Sequence, residues 1–202
     1  MKKRAFPNDD EKEYAERTFD GLDLKGIRLE SRHFHSCVFR NCDLTGAELR
    51  FCRFRGCRFE SCNLSLVKPN ASSFEGPDFR NSKLTGLNWT EAAWPKLNLS
   101  GPPRFYSCVL SDCVFIGLNL AGAVMKDCLA KETDLRDADL SGADLSGTDF
   151  SGALFGGTKL QKANLSGARN YAINVGTCPV KGARFSLPEA MALLDGLGIK
   201  LD

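Results

Sequence analysis

Nine cysteines, two histidines and a line of aspartates are the side chains of this sequence with the most chemistry to offer. Thiols could form disulfides, hold a metal or carry redox work. No Cys-x-x-Cys pair is present, and Cys37, Cys42, Cys52, Cys57, Cys62, Cys108, Cys113, Cys128 and Cys178 are spread over most of the chain. His33 and His35 flank Phe34 without a third ligand nearby. There is no Gly-x-x-x-x-Gly-Lys, no Gly-x-Ser-x-Gly and no His/Asp/Ser set at a workable register, so the sequence supports neither catalysis nor a cofactor. Asp134, Asp139, Asp144 and Asp149 recur every fifth residue, and that interval is the key to the rest.

A period of five fits neither the 3.6 of a helix nor the 2 of a strand, so it marks an internal repeat. Between Thr133 and Gly167 a Leu or Phe falls at each fifth position: Leu135, Leu140, Leu145, Phe150, Phe155, Leu160 and Leu165. Call that position i. A small residue stands at i−2, often Asp or Asn at i−1, then Ser and Gly after it. The same phase runs from Tyr14 to Leu99, interrupted at i only by Pro69. It slips by one residue across Gly101–Arg104, resumes at Phe105, and passes Asn170, Val175 and Val180 to Phe185.

Such a period turns the backbone once per block, with i and i−2 inward and Gly at i+2 easing the corner. Four blocks close a square coil of twenty residues, and each coil pairs with the next at the β-spacing of about 4.8 Å. The expectation is an all-β solenoid over residues 12–185, about eight and a half coils and on the order of 40 Å long. Residues 1–11 are expected to form a flexible N-terminal segment, and residues 186–202 a helix and tail.

In this frame every cysteine falls at i−2, where a small buried side chain is wanted and Cys can stand for Ala. Cys37 and Cys57, Cys42 and Cys62, and Cys108 and Cys128 are twenty apart and should stack on neighbouring coils. Structural thiols are favoured over disulfides or metal. The two histidines point outward, and no metal site is expected.

Function in a solenoid sits in its interruptions, faces and ends. The breaks near 65–73 and 101–104 are expected to bulge or remodel a face, with Lys68, Pro69, Asn70, Pro102, Pro103 and Arg104 as candidate partner contacts. Trp89 and Trp94 occupy successive i positions, too large for a narrow coil, so either the coil widens or one indole reaches the surface. After Phe185, Ser186 and Glu189 form a capping-box pattern with Pro188 in the first turn, and Gly196 or Gly198 should end a short amphipathic helix. That helix caps the last coil. Its apolar residues Leu187, Met191, Leu194, Leu197 and Ile199 are the candidate homodimer interface.

With more than thirty in-register blocks, the chain resembles the pentapeptide-repeat proteins, which form a right-handed quadrilateral β-helix. The Phe-Ser-Leu-Pro-Glu-Ala tail, Cys62-Asn63-Leu64-Ser65-Leu66 and Asn88-Trp89-Thr90 are similar to one branch, the Qnr quinolone-resistance and albicidin-immunity proteins. That resemblance implies a dimer joined C-terminus to C-terminus whose rod mimics duplex DNA. It implies DNA gyrase as the partner, with topoisomerase IV as a second candidate, and protection of the enzyme from an antibiotic without catalysis.

Charge gives this expectation mixed support. The net charge is +2, which argues against both a generic nucleic-acid binder and an acidic disordered chain. The N-terminus has no signal-peptide core and no run reaches membrane-spanning length, so a cytoplasmic location is expected. Asp134, Asp139, Asp144 and Asp149, one per face of a coil, with Asp137 and Glu132 nearby, would form an acidic belt as the gyrase-facing surface. The competing reading is that Asp at i−1 only satisfies turn backbone. Arg40, Arg50, Arg53, Arg55 and Arg58 gather at the other end, where a DNA mimic should be negative. The alternative function is a repeat scaffold that binds an unrelated protein through its faces or loops.

Overall fold

A computed structural model of the chain describes residues 11–94 and 100–199. The described part is a parallel β-solenoid. Strands of two or three residues stack along the faces, each paired with the strand one coil away. Glu13–Ala15, His33–His35, Arg53–Arg55 and Ser73–Glu75 form one sheet. A second, six-stranded sheet runs from Thr18–Asp20 through Val38–Arg40, Arg58–Glu60, Asp78–Arg80 and Arg104–Tyr106 to Val124–Lys126. In the C-terminal half the pairing thins to single bridges such as Asp134 with Leu154 and Asp144 with Asn164.

The i residues build the core because each strand has one inward side chain between two outward ones. The register places Tyr14, Phe34, Phe54 and Phe74 in a column. Their rings stack at 5.0, 4.8 and 5.0 Å. Phe19, Phe39, Phe59, Phe79 and Phe105 form a second column at 4.9 to 5.1 Å. The columns touch edge-on, as with Phe34 and Phe39 at 5.3 Å. Each such ring pair adds about 0.5–1.5 kcal/mol beyond its buried area. The spacing of the rings is set by the backbone ladder, so fold and aromatic stacking enforce one another.

Corners are closed in two ways. Where a turn forms, the i−2 N–H returns to the preceding i carbonyl, as from Ala47 to Leu44 at 2.9 Å and Ala123 to Leu120 at 2.9 Å. At other corners that N–H reaches the i−2 side chain of the next coil. Cys52 donates to the Ser72 hydroxyl at 2.9 Å, and Cys62 to the Ser82 hydroxyl at 3.0 Å. The corner residue at i+2 lies in the left-handed region, for example Ser31 at φ 51° and Asn41 at φ 52°. Short polar residues and glycine reach that region at low cost.

Four expectations need correction. The stretch around Pro69 does not bulge: Pro69 is itself buried at the i position. Lys68 bridges Glu48, its N–H bonds the Ala47 carbonyl at 2.9 Å, and the register holds; the remodelling is confined to the corner, where Asn70 and Ala71 both take positive φ, 28° and 59°. Proline fits because its fixed φ suits the site and the ladder bonds there are made by its neighbours.

The second break is larger than a one-residue slip. Asp78 pairs with Arg104 and Phe79 with Phe105, an offset of 26 where other coils advance by 20, so six residues are inserted. Leu99, expected in the core, lies outside the described residues. Pro103 is not part of a protruding loop but is buried at i−2, and Arg104 already belongs to a strand. The Pro103 carbonyl accepts the Val124 N–H at 3.1 Å.

Past Leu165 the core changes hands. Asn170 is exposed with φ 59°, and the buried residues are Tyr171 and Ile173 in place of Asn170 and Val175. An amide has no partner inside an apolar coil, whereas it reaches the Asp149 carboxylate at 3.0 Å from the corner. Register is restored by the pairing of Leu165 with Phe185.

The C-terminal helix is a 3₁₀ helix over Glu189–Leu197, and the capping box does not form. Pro188 takes the cap position without a side-chain bond, while the Ser186 hydroxyl accepts the Gly167 N–H at 3.0 Å. Gly198 does end the helix, at φ 69° with its N–H returned to Asp195 and Leu194. The expected flexible N-terminal segment lies, for residues 1–10, outside the described residues.

Candidate protein-binding surfaces

All nine cysteines are buried and unpaired. Burial pushes the Cys113 thiol up to about 12 and raises Cys52 as well. Among the described residues no group of three or more His, Cys, Asp or Glu could hold a metal. His33 lies 3.7 Å from the Glu13 carboxylate on the outer surface, and His35 is exposed. No helix among the described residues is long and apolar enough to cross a membrane. Attention therefore falls on the faces, corners and ends.

Each aspartate of the line is first a turn residue. Asp134, Asp139, Asp144 and Asp149 accept the N–H two residues on at 3.2, 3.0, 3.1 and 3.1 Å. Asn63, Asn119 and Asn164 make the same bond at 3.1, 3.2 and 3.2 Å, so the turn needs an oxygen and not a charge. Three of the four charges are then met by a cation. Asp134 pairs with Arg136 at 2.6 Å, Asp139 with Lys159 at 3.5 Å and Asp149 with Arg169 at 3.6 Å. The Arg136 guanidinium holds Asp134 below the usual carboxylate range. Burial works to raise Asp149, but bonds from Asn170 and Ser151 outweigh it and bring its pKa to about 2.

The corner carboxylates differ. Asp112, Asp127, Glu132 and Asp137 sit at i+2 with φ between 52° and 59°, and no salt bridge reaches them among the described residues. Asp127, Glu132 and Asp137 lie over the glycine one coil on: a Cβ at Gly147, Gly152 or Gly157 would run into the carboxylate. Asp112 stands one coil from Glu132 on the same corner. Together with Asp144, they are carboxylates of the C-terminal half that no salt bridge holds among the described residues. Asp112 and Asp127 escaped the sequence reading, which followed the i−1 column and gave i+2 to glycine.

At the basic end most arginines are balanced. Arg40 pairs with Glu60 at 3.0 Å and Arg55 with Glu75 at 3.7 Å. Asp78 is nearly buried and draws Arg80, Arg58 and Arg104 to 3.0, 3.6 and 3.9 Å. Arg104, expected as a loop contact, is thus part of an ion network on a flat face. Lys68 lies 3.4 Å from Glu48, Asn70 is half-buried, and Pro102 lies against Gly122 of the next coil.

The indoles divide as one of the two expectations had it. Trp89 is fully buried, with its ring stacked on Phe115 at 5.9 Å and edge-on to Phe74 at 5.3 Å. Trp94 is half-buried at the surface and donates its N–H to the Trp89 carbonyl at 2.8 Å. At the C-terminal end Leu193 packs on the core and Leu194 is half-buried. Leu187, Met191, Leu197 and Ile199 remain 45–78% exposed.

Comparisons with known proteins fit this geometry. A family profile described as a pentapeptide repeat region matches residues 32–102, and one for pentapeptide repeats matches 108–147 and 133–169. Two trypsin-treated variants of QnrB1, described as a plasmid-mediated fluoroquinolone resistance protein, superpose with TM-scores of 0.62 and 0.61. They are 22% and 20% identical; the match covers 94% of this chain in both, and 91% and 100% of theirs. Full-length QnrB1 gives 0.52 at 22% identity, with 93% and 100% coverage. No curated protein sequence matches the chain. The repeat profiles, the closed square coils and the shared solenoid make this chain a member of the pentapeptide-repeat family, with its right-handed quadrilateral β-helix.

Proposed function

We propose that the protein binds DNA gyrase and shields it from an antibiotic, conferring resistance or self-immunity without catalysis. The observation that carries this reading is likeness in fold, over nearly the whole of both chains, to a fluoroquinolone resistance protein. It is supported by the tail and Trp89 motifs shared with the Qnr and albicidin-immunity branch. In this reading the exposed residues of the 3₁₀ helix join two copies at their C-termini, which brings the C-terminal coils of both to the middle of a longer rod. Topoisomerase IV is a second candidate partner.

The negative surface offered to gyrase is formed by the unpaired corner carboxylates Asp112, Asp127, Glu132 and Asp137, with Asp144, more than by the partly neutralised line of Asp134, Asp139 and Asp149. A DNA mimic needs charges free to act at a distance, and an ion pair on the same face cancels that field. The test is supercoiling by purified gyrase, with and without a quinolone or a peptide-type poison, across a titration of this protein. Restored supercoiling in the presence of poison supports the reading; no gyrase binding at micromolar concentration defeats it. The neutralised Asp line favours a second reading, a scaffold for another protein, and the same titration separates the two.

A further inference from the structure

At most strand corners the left-handed position is filled by Ser, Asn, Asp, Glu or Gly. Phe51 holds it at φ 54° and is 56% exposed. A bulky side chain there costs strain of order 1–3 kcal/mol and leaves an aromatic ring in water. Ser31, one coil away on the same corner, shows that folding asks for nothing of the kind. Phe51 lines a cleft of about 340 Å³ together with Trp94, Ala71 and Ala93.

The charges around that cleft are also unlike their neighbours. Arg53 lines the cleft and Arg50 directly precedes Phe51 in the chain; among the described residues neither has a carboxylate partner, whereas Arg28, Arg40, Arg55 and Arg58 are each paired. Glu75 also lines the cleft, and its charge is met by Arg55 at 3.7 Å. An aromatic lining beside the unpaired Arg53, with the unpaired Arg50 next to Phe51 in the chain, suits an apolar anchor carried on an acidic chain.

We propose that the cleft between Phe51 and Trp94 docks an acidic peptide segment of a partner protein, its aromatic or large aliphatic side chain entering the cleft while its carboxylates pair with Arg50 and Arg53. The site lies on the N-terminal coils, away from the C-terminal corner carboxylates. It does not depend on gyrase being the partner.

The test uses the full chain and a fluorescein-labelled peptide of Glu and Asp with one central Phe, read by anisotropy at low salt. Saturable binding is expected, with affinity reduced about tenfold when the central Phe is replaced by Ala or when the acids are replaced by Lys. Phe51→Ser should weaken binding by a similar factor while its melting temperature holds or rises, since Ser already occupies this corner at Ser31. Arg50→Glu with Arg53→Glu should abolish binding of the acidic peptide. No saturable binding at millimolar peptide overturns the proposal, as does equal binding by the Ala-centred peptide or by Phe51→Ser. A concentration-dependent dimer that Phe51→Ser dissolves would assign the cleft to a second copy of this chain and would equally overturn it.

Discussion

The thiol of Cys62 accepts the backbone N–H of Cys42, one coil away, at 3.4 Å. It also donates to the Phe39 carbonyl at 3.3 Å, and the Cys62 N–H passes to the Ser82 hydroxyl at 3.0 Å. Higher on the same corner Cys108 donates to the Cys128 sulfur at 3.4 Å and Cys128 to the Thr148 hydroxyl at 3.1 Å. The i−2 side chains of this edge are thus hydrogen-bonding links between coils, filling in for turn bonds that these corners lack. Cys62→Ser should therefore be tolerated, because Ser82 and Thr148 already do the same work. Cys62→Ala leaves the Cys42 N–H without a partner in a dry interior, at a cost of about 1–3 kcal/mol. Urea melts of the two variants check the order; equal loss in both would mean that sulfur acts only as volume.

Thiol reactivity follows from the same burial. Cys113 is fully enclosed and its pKa is pushed up to about 12, so almost none of it is thiolate at neutral pH. Ellman's reagent should label Cys113 in the native protein only as fast as the coil opens, and at once in denaturant. The raised pKa also sets a sign: stability from the neutral thiol is whole below the unfolded value near 9 and declines as pH rises towards 12. Rapid reaction of Cys113 in the native state would contradict its placement.

Much of this architecture can be read directly from the chain, because a five-residue period leaves one inward slot per block and Leu135 or Phe150 can only be core. What could not be read depends on contacts across coils. The interval between Phe79 and Phe105 is invisible as an insertion of six, since six equals one block plus one and leaves a repeat-like phase behind it. Asn170 fits the phase but not the interior, and only the nearby Asp149 carboxylate explains where its amide goes. Ser186 and Glu189 match a helix cap in sequence, yet the Gly167 N–H claims the serine first. The line of Asp134, Asp139 and Asp149 was visible, whereas the cations that cancel it come largely from the next coil. Lys159 and Arg169 are each twenty residues away from their partners.

Acid should protonate Asp149 only at low pH, and the loss of its charge should then cost stability. Its folded pKa is about 2 against 3.8 for the free group, so its contribution is complete above about pH 4 and is lost as pH falls through 2. Melting temperature measured from pH 5 to pH 2 should fall for the parent chain. In Asp149→Asn the slope in that window should flatten, since the amide oxygen can keep the Ser151 turn bond without titrating. An unchanged slope would assign acid sensitivity to other groups, Asp134 with its Arg136 partner being the next to test.

The division between paired and unpaired carboxylates makes the gyrase reading separable by mutation. Neutralising Asp112, Asp127, Glu132 and Asp137 to Asn or Gln removes four charges that no salt bridge holds among the described residues, from corners where Asn is itself at home with positive φ, as at Asn41 and Asn81. The fold should survive, and a melting temperature within a few degrees of the parent checks it. Gyrase binding should weaken by at least about tenfold, because the long-range attraction of an unscreened charge cluster is lost. Neutralising Asp134 and Asp139 frees Arg136 and Lys159 at the same time, so it makes the face positive and also weakens binding, but with a stronger dependence on salt. If the corner variant binds and protects gyrase like the parent, charge mimicry is not how this surface works, and shape along the aromatic-cored rod becomes the property to test.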